Sequence, residues 1–312
     1  MQKILVIKLS ALGDFVLELG GMLKVRQLHP DAEITLMTNK AFLAIARQTG
    51  AFDKYIIDNR ASWLDFNTQL NLLREISGAG FELIYDFQCV SRTEGKYFSA
   101  LRWAMPHSFT WIRARRDSAW KVEKKHAWGM GKKTFLQHPF ELPVTDLSFL
   151  HGENKHFHEL PEKFVVMIPG CSPTHPYKRW PVGYFAELSN RLAERGIKTV
   201  LVGTAAEADT IESIASASAS AVSMVNKTSL LDIPDLALRA IAVVGNDTGP
   251  THMASLAGSN TIAMYDQRTG HCTTRGPRSY NFVSPSTIDL ITVDMVWEKL
   301  LPILEEAESK KD

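Results

Sequence analysis

The sequence predicts an α/β protein with two doubly wound parallel sheets, each in its own domain. The chain has 312 residues, which is enough for two domains at a prior of about 150 residues per domain. Short, β-branched apolar runs alternate with stretches of helical periodicity, and this alternating series occurs twice along the chain. With 45% hydrophobic and 22% charged residues, the composition is that of a globular protein and excludes wholesale disorder and collagen-like or disulfide-dense classes.

The first half of the chain is a succession of β-α units. Residues 3–8 form a continuously apolar run, which is typical of a strand buried on both faces of a parallel sheet. A helix is expected from Asp14 until Pro30 stops it. Strand-like and helix-like stretches then alternate at 33–38, 40–49, 54–58, 62–78 and 82–87. One doubly wound domain is therefore predicted here.

A basic stretch of different character follows. Residues 89–138 carry eleven Lys or Arg against three acidic residues, a local charge of +8, and four tryptophans. The whole chain, with 35 basic and 34 acidic residues and a net charge of +1, gives no global electrostatic case for nucleic acid. The stretch is either a solvated face with structural tryptophans or a docking surface for an anionic partner.

A connection between domains and a second alternating series complete the chain. The proline-containing polar segment 139–161 predicts a boundary near residue 158, and hence domains 1–158 and 159–312. The second series has strand-like runs at 164–168, 197–202, 241–245 and 260–264, and helix-like runs at 181–196, 205–217, 229–239 and 249–257. A terminal amphipathic helix at 293–308 could reach back across the domain junction.

Several classes of protein are not expected. The three cysteines are far apart and form no C-x-x-C pair, so a disulfide framework or a zinc knuckle is not indicated and a reducing cytosol fits best. We expect neither export nor a membrane span, because the N-terminal apolar run is short and no 18 apolar residues run together. No cysteine or close acid completes a ligand set with His151, His156 and His158, so these are expected to be exposed loop residues and no metal site is predicted.

Three strand-to-helix loops are candidate ligand sites. Neither G-x-G-x-x-G nor G-x-x-x-x-G-K-S/T opens the β-α units, which argues against a dinucleotide oxidoreductase and a P-loop NTPase. In open parallel sheets, ligands bind beyond the carboxyl ends of the strands, where helix N-termini favour anions. The first of these loops is 8–14, in which Gly13 permits a tight turn and Asp14 is either an N-cap or a group aimed at the cleft.

The other two loops lie in the second half of the chain. Residues 168–181 offer a Pro-Gly turn, small hydroxyl residues and the adjacent cations Lys178 and Arg179, which suit a pyrophosphate but equally a solvated basic loop. Residues 245–252 bring Asp247, Thr248 and the amides from Gly249 onward to a helix N-terminus. In that loop His252 could instead be a core histidine, and Asp247 could merely cap the turn.

Together, segment 8–14, Lys178-Arg179-Trp180-Pro181 and Asp247-Thr248-Gly249-Pro250-Thr251-His252 resemble the three signature segments of glycosyltransferase family 9, the lipopolysaccharide heptosyltransferases. The resemblance implies a GT-B fold, with two Rossmann-like domains that face a central cleft, the first binding the acceptor and the second the nucleotide sugar. It further implies inverting transfer of heptose from ADP-heptose, without a metal or cofactor. The implied acceptor is the anionic inner core of lipopolysaccharide, at the cytoplasmic face of the inner membrane.

The resemblance also assigns roles by position. Asp14 matches the general base, and Lys178 matches the lysine that binds the donor phosphates. The positions matched to donor binding are Ser172, Lys178, Glu207, Asp247, Thr248, Gly249 and His252. Given an anionic acceptor, we expect Ser10, Gly13, Arg92, Arg113, Arg115 and Arg116 to contact it and the basic stretch to dock on phosphorylated lipid.

Two segments depart from the family pattern. Gly20-Gly21 stands where relatives usually have a proline, and Tyr265-Asp266-Gln267-Arg268 stands where Gly-Pro is more usual. The donor sugar is therefore less firmly implied than the fold. Two alternatives stay open: a non-catalytic nucleotide-sugar-binding protein, and another GT-B enzyme with a different donor, such as a sugar-nucleotide epimerase.

Overall fold

The computed structural model describes residues 1–58, 62, 65–104, 109–113, 143–270 and 272–309. The chain divides into two compact units, Met1–Val144 and Thr145–Asp312. Each unit is built on one parallel sheet. No helix in the described ranges is both long enough and apolar enough to cross a bilayer.

The division comes earlier in the chain than the predicted boundary near residue 158. The segment that follows it is attached to the second unit, because the backbone N–H of Leu147 donates to the carbonyl of Leu256 (3.0 Å). The backbone N–H of Asn154 likewise donates to Oδ1 of Asp232 (2.9 Å). The polar, proline-containing character of this segment marks a loop, and these bonds fix the unit to which the loop belongs.

Among the described residues, the first unit has five parallel strands in the order β3-β2-β1-β4-β5. The strands are β1 (Lys3–Lys8), β2 (Glu33–Thr38), β3 (Lys54–Ile57), β4 (Leu83–Asp86) and β5 (Thr110–Arg113). The central strand β1 is fully buried from Ile4 to Ile7, as its uninterrupted apolar sequence predicts. Because the strands are parallel, the loops that follow β1 and β4 are neighbours at one edge of the sheet.

Helices alternate with these strands. They are α1 (Leu12–Leu28), α2 (Leu43–Gln48), α3 (Phe66–Ala79) and α4 (Phe98–Ala104), with a 3-10 turn at Lys40–Phe42 and a π-helix at Ser91–Tyr97. In the core, the rings of Phe98 and Trp111 pack nearly perpendicular to each other at 5.1 Å. Helix α4 and strand β5 thus belong to the core of the first unit, although they lie in the basic stretch, where no element was predicted.

The second unit has a parallel sheet in the order β11-β10-β9-β6-β7-β8. Its strands are β6 (Phe164–Ile168), β7 (Lys198–Leu201), β8 (Ala221–Ser223), β9 (Ala242–Asn246), β10 (Thr261–Tyr265) and β11 (Ser279–Val283). Its helices are α5 (Val182–Glu194), α6 (Ala208–Ala217), α7 (Asp232–Arg239), α8 (Gly249–Leu256) and α9 (Val293–Ser309). Short 3-10 turns lie at Phe157–Glu159, Pro176–Lys178, Ala205–Glu207 and Ile288–Leu290.

The terminal helix α9 confirms the amphipathic helix predicted at 293–308. Its buried residues Val296, Leu300 and Leu304 belong to the hydrophobic core of the second unit. At its end, Arg195 Nη2 lies 2.8 Å from Glu308 Oε2. The apolar face of α9 is therefore used within the second unit.

Candidate functional site

In the first unit, the side chain of Gln88 holds the loop between β1 and α1. Its Oε1 accepts hydrogen bonds from the backbone N–H groups of Leu9 (2.8 Å) and Ser10 (2.9 Å). Asp86, at the end of β4, accepts a hydrogen bond from the backbone N–H of Gln88 through Oδ1 (2.9 Å). Because β1 and β4 are neighbours in the sheet, these bonds fix the course of the chain that leads to Asp14.

Asp14 is an exposed residue in the first turn of α1. The helix begins at Leu12 with Ala11 as its N-cap, so the predicted start at Asp14 is wrong, and Gly13 lies inside the helix rather than in a turn. Asp14 is not the N-cap either. Ala11 has no side-chain acceptor, and Asp14 Oδ2 accepts the backbone N–H of Ala11 (3.3 Å), which is the third-residue half of a capping box. The carboxylate therefore lies exposed at the helix start, where a substrate can reach it.

Lys8, at the start of the first candidate loop, is buried. Its Nζ lies 2.8 Å from Glu18 Oε2, and both side chains are less than a tenth exposed. The same Nζ donates to the carbonyl of Phe87 (3.2 Å). A buried ammonium needs such partners, so Lys8 joins β1 to α1 and to the chain after β4.

Of the residues predicted to bind the acceptor, Arg92 already has a carboxylate partner. Its Nε and Nη2 lie 3.2 Å from Oδ2 and Oδ1 of the buried Asp58. The hydroxyl of Tyr97 donates to the same carboxylate. Burial raises the pKa of Tyr97, and the hydrogen bond to Asp58 raises it further. Arg92 thus joins the end of β3 to the π-helix, and its contact with an acceptor stays a prediction.

The remaining acceptor predictions lie partly at the edge just described. Ser10 belongs to the loop that Gln88 holds, and Arg113 ends β5 opposite Asp86 of β4. Arg115 and Arg116 lie outside the described residues, as does most of the basic stretch. The docking surface therefore stays a prediction.

In the second unit, Asn246 at the end of β9 anchors both ends of the loop 169–181. Its Nδ2 donates to the carbonyls of Pro169 (2.7 Å) and Gly170 (3.3 Å). Its Oδ1 accepts the backbone N–H of Trp180 (3.0 Å). Asn246 is fully buried, so these three bonds satisfy backbone groups that water does not reach.

Lys178, Asp247 and His252 are in direct contact. Lys178 Nζ lies 2.8 Å from Asp247 Oδ2, and His252 Nε2 lies 3.2 Å from Asp247 Oδ1. Burial by itself would raise the pKa of Asp247, but the hydrogen bonds from His252 and Lys178 outweigh it and leave that pKa below its ordinary value. Asp247 is therefore an anion at neutral pH that holds the ammonium of Lys178 in place.

Helix α8 begins beside this cluster. Thr248 is its extended N-cap residue and provides no side-chain cap, and Gly249 is its first residue. A Cβ on Gly245 would lie 2.5 Å from Thr251 Oγ1, so the helix approaches β9 as closely as a glycine allows. The positive end of α8 and its first amides thus lie next to Lys178 and Asp247, an arrangement that favours an anion.

The other predicted donor residues lie in neighbouring loops. Glu207 Oε2 accepts hydrogen bonds from the backbone N–H (2.9 Å) and the hydroxyl (2.6 Å) of Thr204. It packs against Gly170, where a Cβ would lie 2.6 Å from Glu207 Cγ. Ser172 is exposed, and its Oγ lies 2.8 Å from Thr174 Oγ1. The structure therefore places Glu207 beside the start of the loop 169–181, while Ser172 makes only a local contact.

Sequence reasoning missed four residues at these edges: Gln88, Asn246, Tyr177 and Arg268. The guanidinium carbon of Arg268 lies 3.6 Å from the centre of the Tyr177 ring. Asn246 lies inside a segment that the sequence pattern had already indicated, and a polar residue closing an apolar strand is the signal that could have found it. Nothing local in the sequence marks Gln88.

The described residues contain no group of three or more His, Cys, Asp or Glu arranged to hold a metal ion. His151 Nδ1 lies 3.1 Å from Asp235 Oδ1, and His156 Nδ1 lies 2.8 Å from Glu159 Oε1. His151 and His158 are exposed and His156 is half-exposed, so these are surface residues, two of them with carboxylate partners.

Comparison with known proteins gives concordant matches. A family model described as glycosyltransferase family 9 (heptosyltransferase) matches residues 126–286. Lipooligosaccharide heptosyltransferase 2 of Haemophilus influenzae is 28% identical over 133 residues, which are 41% of this chain and only 36% of that relative. Lipopolysaccharide core heptosyltransferase OpsX of the same organism is 20% identical over 274 residues, which are 83% of this chain and 78% of that protein.

A solved structure has the same fold. The structure of Escherichia coli ADP-heptose lipopolysaccharide heptosyltransferase II superposes with a TM-score of 0.70 at 19% identity, covering 98% of this chain and 100% of that chain. The fold class predicted from the sequence, two Rossmann-like α/β domains of the GT-B type, is thereby confirmed.

Proposed function

The chain belongs to glycosyltransferase family 9, the heptosyltransferase family of lipopolysaccharide core synthesis, and we propose that it transfers heptose from ADP-heptose to the inner core of lipopolysaccharide with inversion and without a metal. The observation that carries the proposal is the contact of Lys178 with Asp247 at the start of α8. The E. coli protein of the same fold is named for ADP-heptose, which supports that donor.

The donor diphosphate is proposed to bind at this cluster. The ammonium of Lys178 lies beside the amino end of α8, and the positive charge and the helix end both favour a phosphate group. Thr248, Gly249 and His252 lie in the same loop and helix start, and Glu207 is proposed to hold the ribose. Ser172 is the weakest of the donor assignments, because its contacts in the structure are local.

Asp14 is proposed to act as the general base. Its carboxylate accepts the proton of an acceptor hydroxyl while that oxygen forms a bond to the anomeric carbon of heptose. The bond from the anomeric carbon to the phosphate oxygen breaks, and its electrons leave with ADP. Attack opposite the leaving group inverts the anomeric centre. Because a carboxylate is too weak to deprotonate an alcohol beforehand, proton transfer and attack are concerted.

Positive charge from the protein replaces a metal in this proposal. As the bond between the anomeric carbon and the donor phosphate breaks, negative charge accumulates on the β-phosphate. Lys178 and the first amides of α8 stabilise this charge. The acceptor is proposed to be lipopolysaccharide at the cytoplasmic face of the inner membrane. Ser10, Gly13 and the basic residues Arg92 and Arg113 are proposed to contact this acceptor.

The proposal is tested by incubating the chain with ADP-heptose and a deacylated lipopolysaccharide core acceptor, with and without EDTA. We expect release of ADP that requires the acceptor, a glycoside of inverted anomeric configuration by NMR, and no loss of rate with EDTA. ADP binding without transfer would identify a nucleotide-sugar-binding protein instead. Donor consumption without acceptor would identify an epimerase-like enzyme, and turnover only with UDP-, GDP- or CMP-sugars would identify a different donor.

A further inference from the structure

Two loops of the second unit meet above the end of β9. The loop 169–181 follows β6, the loop after β10 contains Arg268, and β9 lies between those two strands in the sheet. The guanidinium carbon of Arg268 lies 3.6 Å from the ring centre of Tyr177. This contact therefore bridges the strand whose end carries Asp247.

Asp266 orients the guanidinium of Arg268. Its Nε lies 2.6 Å from Asp266 Oδ1 and its Nη2 lies 2.9 Å from Asp266 Oδ2. The backbone N–H of Arg268 donates to the same carboxylate (3.0 Å), and Asp266 is only 1% exposed. A guanidinium held by two parallel bonds presents its flat face in one orientation, and Tyr177 packs on that face.

The middle of the loop 169–181 has few other attachments. Asn246 holds the two ends of the loop, at Pro169, Gly170 and Trp180. Among the described residues, the side-chain contacts that join the turn Pro176–Lys178 to other loops are the ion pair of Lys178 with Asp247 and the stack of Tyr177 on Arg268.

These two attachments respond differently to a bound diphosphate. The phosphate oxygens compete with Asp247 for the ammonium of Lys178, so the ion pair is weakened when the donor is bound. The Tyr177 ring is uncharged and does not compete for the phosphate, and the Arg268 guanidinium is paired with Asp266, so the stack does not depend on the ion pair. We therefore expect the stack to hold the turn when the ion pair is weakened.

We propose that Tyr177 and Arg268 form a clasp that holds the turn carrying Lys178 over the bound donor and slows release of the nucleoside diphosphate. This inference rests on the proposed donor site. Both are positioning residues, because they act through Lys178. A stack of this kind changes an equilibrium by about 3- to 30-fold, equivalent to about 0.7–2 kcal/mol.

The test compares ADP affinity and ADP dissociation rate in five variants by isothermal titration and stopped-flow fluorescence. Tyr177→Leu removes the ring without changing any charge, and it leaves Arg268 paired with Asp266. We expect about 3- to 30-fold weaker ADP binding, mostly through faster dissociation, with the melting temperature nearly unchanged. Tyr177→Phe keeps the ring and restores binding to within about twofold of the wild type.

Three further variants complete the design. Arg268→Gln is expected to weaken ADP binding like Tyr177→Leu, and the double variant is expected to be no weaker than either single variant, because both remove one contact. Lys299→Gln is the matched control, because Lys299 Nζ lies 4.7 Å from the ring centre of Tyr280, away from the loop 169–181. It should leave ADP binding unchanged.

In turnover, the clasp predicts a higher donor KM in Tyr177→Leu with no fall in kcat, because loss of the ring speeds nucleotide release without touching the reacting groups. Equal ADP affinity and dissociation rate in wild type and Tyr177→Leu would overturn the clasp and leave the proposed function standing. Failure of the wild type to bind ADP at all would overturn both.

Discussion

Replacing Asn246 with alanine tests whether this buried side chain holds the loop 169–181. The substitution removes three hydrogen bonds, to the carbonyls of Pro169 and Gly170 and from the N–H of Trp180. A buried backbone group left without a partner costs about 1–3 kcal/mol. Because the Gly170 bond is long, at 3.3 Å, we expect the unfolding free energy to fall by about 4 kcal/mol in total. For a domain of this size, that lowers Tm by about 8–16 °C.

The matched control is Asn260→Ala, which removes one bond from Nδ2 to the carbonyl of Ile241 (3.1 Å) in the same unit. Its expected loss of unfolding free energy is about 1 kcal/mol, which lowers Tm by about 2–4 °C. This shift identifies the calorimetric transition of the second unit. Asn246→Ala is also expected to weaken ADP binding at least tenfold, because Lys178 belongs to this loop and moves with it. A Tm shift no larger than that of the control would refute the reasoning.

Three further predictions concern single contacts. Gln88→Leu removes the acceptor of the backbone N–H groups that precede Asp14, so it should lower kcat about 10- to 100-fold with ADP affinity unchanged, whereas Gln88→Glu keeps the acceptor and most of the rate. Asn39→Ala, which removes a similar acceptor from the backbone N–H of Ala41 after β2, should change neither quantity. Arg92→Met removes the two guanidinium contacts of the buried Asp58 and should lower the unfolding free energy by about 3 kcal/mol in calorimetry, part of which Asp58→Asn in the same chain restores. The pKa of Asp247 is depressed on folding, so the wild type should have a larger unfolding free energy than Asp247→Asn above about pH 4. Urea denaturation repeated at lower pH should show this difference becoming smaller.

The strands that sequence patterning located best are those buried on both faces. Strands β1, β6, β9 and β10 are continuous apolar runs, and their buried side chains leave no alternation to misread. Strands β5 and β11, each at an edge of its sheet, were missed, whereas β3, also at an edge, was located at 54–58. An edge strand has a neighbour on one side only, so its sequence carries less apolar signal, and β11 is half-exposed along its length.

The candidate site was predictable in its segments but not in its contacts. The loops that contain Lys178 and Asp247 were located because a strand precedes each and a helix follows. Their direct contact depends on β6 and β9 being neighbours, which no local pattern specifies. The bond between Trp180 and Asn246 spans 66 residues of chain for the same reason.

The start of α1 illustrates a different limit. Residue preferences favour aspartate as an N-cap, yet the helix begins before Asp14 and takes Ala11 as its cap. The helix begins two residues earlier than predicted. Gln88 accepts the backbone N–H groups of Leu9 and Ser10, and Asp14 accepts that of Ala11. Tertiary hydrogen bonds from Gln88, which follows β4, thus override the local capping preference.

The proposed role of Asp14 as general base is tested most directly by measuring transfer and ADP binding in Asp14→Asn. Asparagine retains an oxygen that can accept the backbone N–H of Ala11, as Asp14 does in the wild type, so the start of α1 should keep its structure. The account predicts a kcat lower by about 10²- to 10⁴-fold, with the affinity for ADP unchanged. A kcat within tenfold of the wild type would show that another group takes the acceptor proton.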